Sequence, residues 1–297
     1  MTTSSPTVFV FGSLHYDIIV KGPARPRKGE TLTGTAWYPK CGGKGGNQAV
    51  SAARAGANTL MIGAVANDNF GASLLANLEA KGVDRRFVRT VDGVGTGMSV
   101  AIFDSEGDYG AVIVSGSNLV LSSADVDAAK EYFAPNDLLV LQSEVPDAAN
   151  VLAASAMKAA GGRVLINAAP ARELSTELAG LIDIVVVNAV EAEMLAGVEH
   201  VESLNDALAA AHILAKLYPV AVVTAGKEGV ACVERDNPRE IAIPARKIKL
   251  VSTHGAGDEF IGVLAANLAA DADIETALEK ANDAAAILVS TPTSNHD

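Results

Sequence analysis

The chain is short of aromatic residues, of cysteine and of positive charge, and each shortage excludes something. Aromatics make up 4% of the 297 residues, with a single tryptophan, so any core has to be aliphatic. Apolar residues still reach 49%, and a chain of this length buries a large core without a disulfide or metal staple. Length alone admits one large domain or two smaller ones. The only cysteines are Cys41 and Cys232, which form neither a cysteine-rich zinc site nor a disulfide framework. A reducing, cytoplasmic setting is expected. Lys and Arg number 23 against 35 Asp and Glu, a formal charge of −12. No basic footprint is left for nucleic acid, and an anionic membrane surface would repel the chain. No apolar run reaches the roughly 18–20 residues of a membrane span. Residues 1–6 lack the basic and apolar regions of a signal peptide. His15, His200, His212, His254 and His296 show no metal-binding spacing. No Gly-x-Ser-x-Gly supports a serine nucleophile.

What is present is an alternation of apolar runs and Ala-rich amphipathic stretches. Strands are expected at residues 8–11, 16–21, 31–38 and 60–65, with helices at 48–55 and 70–80. Residues 98–104 and 109–114 alternate like hairpin arms around Ser105-Glu-Gly107. From residue 122 the order becomes regular: helix 122–133, strand 138–142, helix 147–160, strand 164–167, strand 184–188, helix 204–217, strand 220–224, then helices near 257–270 and 274–289. Strands alternating with helices predict a mostly parallel sheet covered on both faces. Residues 13–42 and 96–117 are strand-rich and turn-rich. They read as one small, discontinuous β-sheet lid beside an α/β body formed by 1–12, 43–95 and 118–297.

Four stretches carry polar groups suited to chemistry. Gly42-Gly-Lys-Gly-Gly-Asn-Gln48 stands before a helix whose N-terminal amides attract anions, and Lys44 and Asn47 add groups able to bind hydroxyls. It is neither a Walker A loop nor a complete dinucleotide fingerprint. A flexible turn is the plain alternative. Gly255-Ala-Gly-Asp258 runs into an apolar helix; small residues there leave backbone N–H groups for an anion hole, and a helix N-terminus keeps the Asp258 carboxylate ionised. An ionised carboxylate can accept a proton from an attacking hydroxyl. An ordinary acidic first turn is the competing reading. Asn188-Ala-Val-Glu191 follows a strand end, where α/β sheets bind ligands, and its oxygens suit Mg²⁺; a capping box explains the same residues. Thr224-Ala-Gly-Lys-Glu-Gly229 forms a turn that would admit a nucleotide phosphate, or simply a hairpin turn. Asp17 and Glu144 are lone carboxylates at strand ends.

In this order, together with Gly12-Ser13, Gly29-Glu-Thr31, Gln142-Ser-Glu144 and Asn167-Ala-Ala-Pro-Ala171, the motifs resemble the ribokinase-like (phosphofructokinase-B) carbohydrate kinases from about residue 8 to about 290. The resemblance implies a three-layer α/β/α sandwich with a mostly parallel central sheet and a small β-sheet lid. It implies ATP and Mg²⁺ as co-substrates and transfer of the γ-phosphate to a terminal hydroxyl of a pentose such as ribose. By position it makes Asp258 the base and Gly255, Ala256 and Gly257 the anion hole. Asp17, Gly43, Lys44, Asn47 and Glu144 fall on sugar-binding positions, and His15 replaces a sugar-binding Asn. Asn188, Thr224, Gly226, Gly229 and Asn282 fall on the nucleotide side, and Glu191 organises Mg²⁺ through water. Glu259 follows the base where a small residue is usual. Ser252 replaces an Asp of the monovalent-cation loop, and the chain ends before the segment that completes that loop, so the resemblance does not carry potassium activation over to this chain. A homodimer through the lid is implied as well. A nucleoside kinase of the same superfamily and a non-catalytic sugar-binding protein on the kinase scaffold remain alternatives.

Overall fold

Five-residue runs such as Thr7–Phe11 and Ile184–Asn188, almost wholly buried, become the strands of a sheet with helices on both faces, as seen in a computed structural model describing residues 6–106, 108–237, 239–251 and 255–291. The first part of the chain supplies β1 (Thr7–Phe11), β2 (His15–Lys21), β3 (Ala36–Gly42), α1 (Lys44–Arg54), β4 (Asn58–Ala66), α2 (Asn69–Ala80) and β5 (Asp84–Val91). The middle supplies β6 (Met98–Phe103), β7 (Tyr109–Val114), α3 (Ser123–Ala129), β8 (Leu138–Gln142), α4 (Asp147–Ala159), β9 (Arg163–Asn167), α5 (Thr176–Ala179) and β10 (Ile184–Asn188). The last part supplies α6 (Ala189–Ala196), α7 (Leu204–Leu214), β11 (Val220–Thr224), β12 (Gly229–Glu234), β13 (Glu240–Pro244), α8 (Ala256–Ala269) and α9 (Ile274–Ser290).

The main sheet has nine strands in the order β13-β12-β11-β10-β9-β8-β1-β4-β5. Pairing is parallel from β5 to β11, and β12 and β13 extend that edge antiparallel. Alternate residues of β1 face opposite layers. Phe9 and Phe11 pack with Met157 of α4 and Leu178 of α5, while Val8 and Val10 join Ala49 of α1, Leu264 of α8 and Leu278 of α9. Burying each such aliphatic side chain contributes about 1.5–3 kcal/mol, so the Ala, Val, Ile and Leu of this chain suffice for a three-layer core.

A second sheet of four strands, β3-β2-β6-β7, stands beside the C-terminal end of β1. Its attachment is specific. Asn118, fully buried, donates to the Leu14 carbonyl and accepts from the Leu14 amide, both at 2.9 Å. Asp68 accepts from the Thr96 amide at 2.9 Å and from the Thr96 hydroxyl at 2.7 Å, tying the start of β6 to α2. Burial alone would raise the Asp68 carboxyl, but the hydrogen bonds from Thr96 and Gly71 outweigh it and hold the pKa below the ordinary value.

Local expectations change at several places, and β12 and β13 stand where no strand is expected. The strand expected over 31–38 lies at Ala36–Gly42, because pairing with β2 runs only from His15↔Gly42 to Lys21↔Ala36 and residues 31–35 have no strand partner there. β5 was not expected, since Asp84-Arg-Arg obscures its alternation; as an edge strand it turns those charges outward. α1 begins at Lys44, so the Gly-rich stretch is largely the first turn of the helix rather than a loop before it.

Candidate active site

The site is built where α1 crosses α8. Along α1, the residues Lys44, Asn47, Gln48, Ser51 and Arg54 recur every three or four positions and share one face. Asp258, Glu259 and Gly262 do the same on α8. Gly262 lets the helices meet closely: a Cβ there would lie 2.7 Å from the Ala52 amide nitrogen and closer still to Ser51. Glu259 is buried; its carboxylate accepts from the Ser51 hydroxyl at 2.7 Å and pairs with Arg54. This acidic departure from the family pattern therefore pins α8 to α1 and points away from the cleft.

The same crossing delivers Asp258. Its Oδ2 accepts from Asn47 Nδ2 at 2.8 Å and its Oδ1 from Gln48 Nε2 at 3.0 Å, across 211 and 210 residues of chain. Asp258 keeps part of its surface open, but protein surrounds the rest, and that burial pushes its carboxyl above the ordinary value. Lys44, Asn47 and Gln48 oppose the rise, and Glu144 adds to it. Asp258 lies in the first turn of α8, which opens at Gly255 with φ 82° and has no side chain capping it. The first-turn N–H groups of Ala256 and Gly257 have no partner within the helix, so they are available to an anion.

On the β1 and lid side the residues expected to touch the sugar come together. Glu144, just past β8, accepts from Ser13 Oγ at 2.5 Å and from the Lys44 amide at 3.0 Å. His15 is only 4% exposed, with Nδ1 3.9 Å from Glu144 Oε2. Asp17, on β2, accepts from Ser99 Oγ at 2.5 Å. Gly43 has φ 84°, and a Cβ there would meet the backbone of Ser13, Leu14 and His15 within 3 Å. The glycine is needed because α1 starts against the β1–β2 link, whatever else binds. A cavity of about 380 Å³ adjoins His15 and Glu144, walled by Ile113, Pro170 and Arg172 among others.

The nucleotide-side candidates are spread along the ends of β10 and β11. Asn188 and Glu191 form the capping box: Asn188 N donates to Glu191 Oε2 at 2.8 Å, and Glu191 N donates to Asn188 Oδ1 at 2.9 Å. Burial raises the Glu191 carboxyl, with Asn188 and Lys44 countering it. Lys44 thus sits electrostatically between Glu191 and Asp258. Thr224 Oγ1 donates to the Val187 carbonyl at 3.3 Å. Gly226 is exposed at φ 53°, with nothing near its absent Cβ. Gly229, at φ 122°, is required by the β12–β13 pairing, since a Cβ would strike the Ile243 carbonyl. Asn282, on α9, donates to the Pro244 carbonyl at 3.1 Å. Ser252 and His254 lie outside the described residues. Among the described residues no group of His, Cys, Asp and Glu could hold a metal unaided, and no helix is long and apolar enough to cross a membrane.

Sequence reasoning missed Gln48, Asn118 and the Ser51–Glu259–Arg54 link. The polar stripe on α1 was the available signal, because five polar residues on one face of an otherwise Gly/Ala/Val helix need partners. Asn118 left no comparable signal.

Known proteins are similar to this chain in sequence and in fold. A family model described as pfkB family carbohydrate kinase matches residues 5–297. The deoxyribokinase of Salmonella typhi is 36% identical over 276 residues, covering 92% of this chain and 89% of that protein. The ribokinase of Bacillus subtilis is 34% identical, covering 95% of this chain and 92% of its own. The structure of Arabidopsis thaliana ribokinase complexed with ribose and ATP matches with a TM-score of 0.88 at 28% identity, covering 98% of this chain and 95% of that one.

Proposed function

This chain belongs to the pfkB family of carbohydrate kinases and is a ribokinase-like sugar kinase, and from that premise we propose that it transfers the γ-phosphate of MgATP to the terminal hydroxyl of a pentose such as ribose. The observation that carries the reading is the Asp258 carboxylate, held by Asn47 and Gln48 at the uncapped start of α8. Asp258 accepts the proton of the acceptor hydroxyl while that oxygen bonds to the γ-phosphorus and the bond to the ADP oxygen breaks. The backbone N–H groups of Gly255, Ala256 and Gly257 face the charge of the transferring phosphoryl group, and Lys44 adds a cation beside it. Phosphoryl transfer is mostly positioning and charge stabilisation, which such parts supply. His15, Asp17, Gly43, Lys44, Asn47 and Glu144 hold the sugar. Asn188, Thr224, Gly226, Gly229 and Asn282 line the nucleotide side.

Glu191 fits a water-mediated role toward Mg²⁺. One of its oxygens is committed to the Asn188 amide, so it cannot hold an ion alone. Mg²⁺ keeps several waters and binds phosphates, which suits so sparse a donor set. When bound, the ion neutralises charge on the phosphates.

Residues 13–42 and 96–117 act as a lid over residues 1–12, 43–95 and 118–297, excluding water from the transfer. Trp37, Val112, Ile113 and Val114 are exposed on the lid strands, and a homodimer pairing two lids covers them. A dimeric mass by light scattering supports that assembly, and a monomer at micromolar concentration refutes it. Both cysteines are free thiols, which fits a cytoplasmic protein.

The test of function is ADP release over a panel of ribose, deoxyribose, hexoses and nucleosides, for wild type and Asp258→Ala. Loss of the base costs about 10²–10⁴-fold in rate; equal activity in the two proteins refutes the role of Asp258. The cavity beside His15 favours one second reading, a nucleoside acceptor whose base occupies it. Faster turnover of a nucleoside than of any free sugar selects that reading.

A further inference from the structure

Gln48 has so far figured only as a neighbour of Asp258, yet it is fully buried and its amide makes bonds on both sides. Its hydrogen bonds leave its amide no freedom. Asn167 Nδ2 donates to the backbone carbonyl of Val186, which can only accept. That turns Asn167 Oδ1 toward Gln48, where it accepts from Nε2 at 3.1 Å. Gln142 Nε2 donates to Gln48 Oε1 at 2.9 Å. A flipped Gln48 would set its oxygen against Asn167 Oδ1 and Asp258 Oδ1, both acceptors. Its second N–H is therefore forced onto Asp258.

We infer that Gln48 is a positioning residue for phosphoryl transfer: its amide, oriented by Asn167 and bonded by Gln142, locks the rotamer of Asp258 and presents a donor that the ionised carboxylate accepts more strongly than the neutral acid does. This rests on the reading of Asp258 as the base. Asn47 supplies the matching donor at Oδ2. The charged groups facing Asp258 are Lys44 on α1, which favours ionisation, and Glu144 past β8, which opposes it. Glu259 is engaged with Arg54 and Ser51 on the other side. Burial raises the Asp258 carboxyl and Glu144 adds to it, while Lys44 and the two amides oppose the rise. A chain of aligned amides within the fold also polarises its last donor.

The test compares wild type, Gln48→Met, Gln48→Glu and Asp258→Asn in steady-state kinetics across pH, with sugar and MgATP each varied. Gln48→Met keeps the length of the side chain and removes its amide. Its kcat is expected to fall about tenfold to a hundredfold, as for losing a hydrogen bond to a charged group. KM for both substrates should stay within about twofold, and the acid limb of kcat/KM should move to higher pH. Gln48→Glu should move the limb further the same way, by placing a second carboxylate against the first. A folded Gln48→Met with unchanged kcat and acid limb overturns the inference. So does a loss of kcat with the limb unmoved, which marks a merely structural role. If Gln48→Met does not fold, Gln142→Met is measured instead; it must shift the limb in the same direction by less, and no shift overturns the inference. Full activity of Asp258→Asn would overturn the base itself. Its inactivity beside an unperturbed Gln48→Met would overturn only the role of Gln48.

Discussion

Replacing Gly262 by alanine tests whether the α1–α8 crossing sets the geometry of Asp258, the proposed base. In an isolated helix the change would be favourable by about 1 kcal/mol. Here the new methyl group would lie 2.7 Å from the Ala52 amide nitrogen and closer still to the Ser51 Cβ. Both are fixed to the α1 backbone, so no side-chain rotation relieves the contact. Ordinary packing needs about 3.5–4.0 Å, so α8 must withdraw by about 1 Å. Overpacking of this kind costs about 1–3 kcal/mol. Set against the helix gain, Gly262→Ala should lose at most about 2 kcal/mol of stability by those figures, a few degrees in Tm. Activity should suffer more. Asp258 stands one helical turn from Gly262 and is held by Asn47 and Gln48 at 2.8 and 3.0 Å. A shift of about 1 Å in a reacting group costs about 10²-fold. Thermal unfolding and kcat measured on the same preparation separate the two effects. Ser51→Gly in the Gly262→Ala background removes the nearest obstruction, so the double variant should regain part of the lost kcat. Full activity of Gly262→Ala, or a double variant no better than the single, would refute the reasoning.

Three further predictions concern the titration of Asp258 and the attachment of the lid. Because burial raises the Asp258 carboxyl above its ordinary value, kcat/KM should decline on acidification at a higher pH than a surface aspartate would dictate; a limb at ordinary aspartate pH refutes this. Stability has the opposite sign. A group whose pKa is higher folded than unfolded contributes stability fully below the unfolded value and loses it as pH rises through the folded one, so the unfolding midpoint of Asp258→Asn relative to wild type should gain as pH rises through that window. Asn118→Leu leaves the Leu14 N–H and C=O buried without partners, at about 1–3 kcal/mol each. Because Leu14 leads directly into His15 and Asp17, KM for the sugar should rise more than KM for ATP; equal changes would refute the clamp.

The alternation of strands and helices was legible because each element buries a stripe of its own residues, and those stripes recur at short range. Asp258 after Gly255-Ala-Gly257 was legible for the same kind of reason, since a helix start needs small residues and favours an acid. β5 was hidden because an edge strand need bury only part of its surface, so Asp84, Arg85 and Arg86 cost little there. The glycines of residues 42–46 were legible as a feature but not as to cause. Gly43 and Gly45 yield space to Ser13 and its neighbours, a demand set by β1. The conformation of Gly229 likewise answers to the Ile243 carbonyl.

Composition by itself determined that this core is aliphatic. Motif order determined the family. Only the tertiary structure decided which polar residues hold Asp258. Asn47 and Gln48 reach Asp258 across more than two hundred residues of chain, and that meeting depends on Gly262 admitting α1, on Glu259 tying Ser51 and Arg54, and on Val186 fixing the direction of Asn167. Hydrogen-bond direction is passed along such a chain atom by atom. It has no period and no local signature, so it is settled only when the strands and helices are in place.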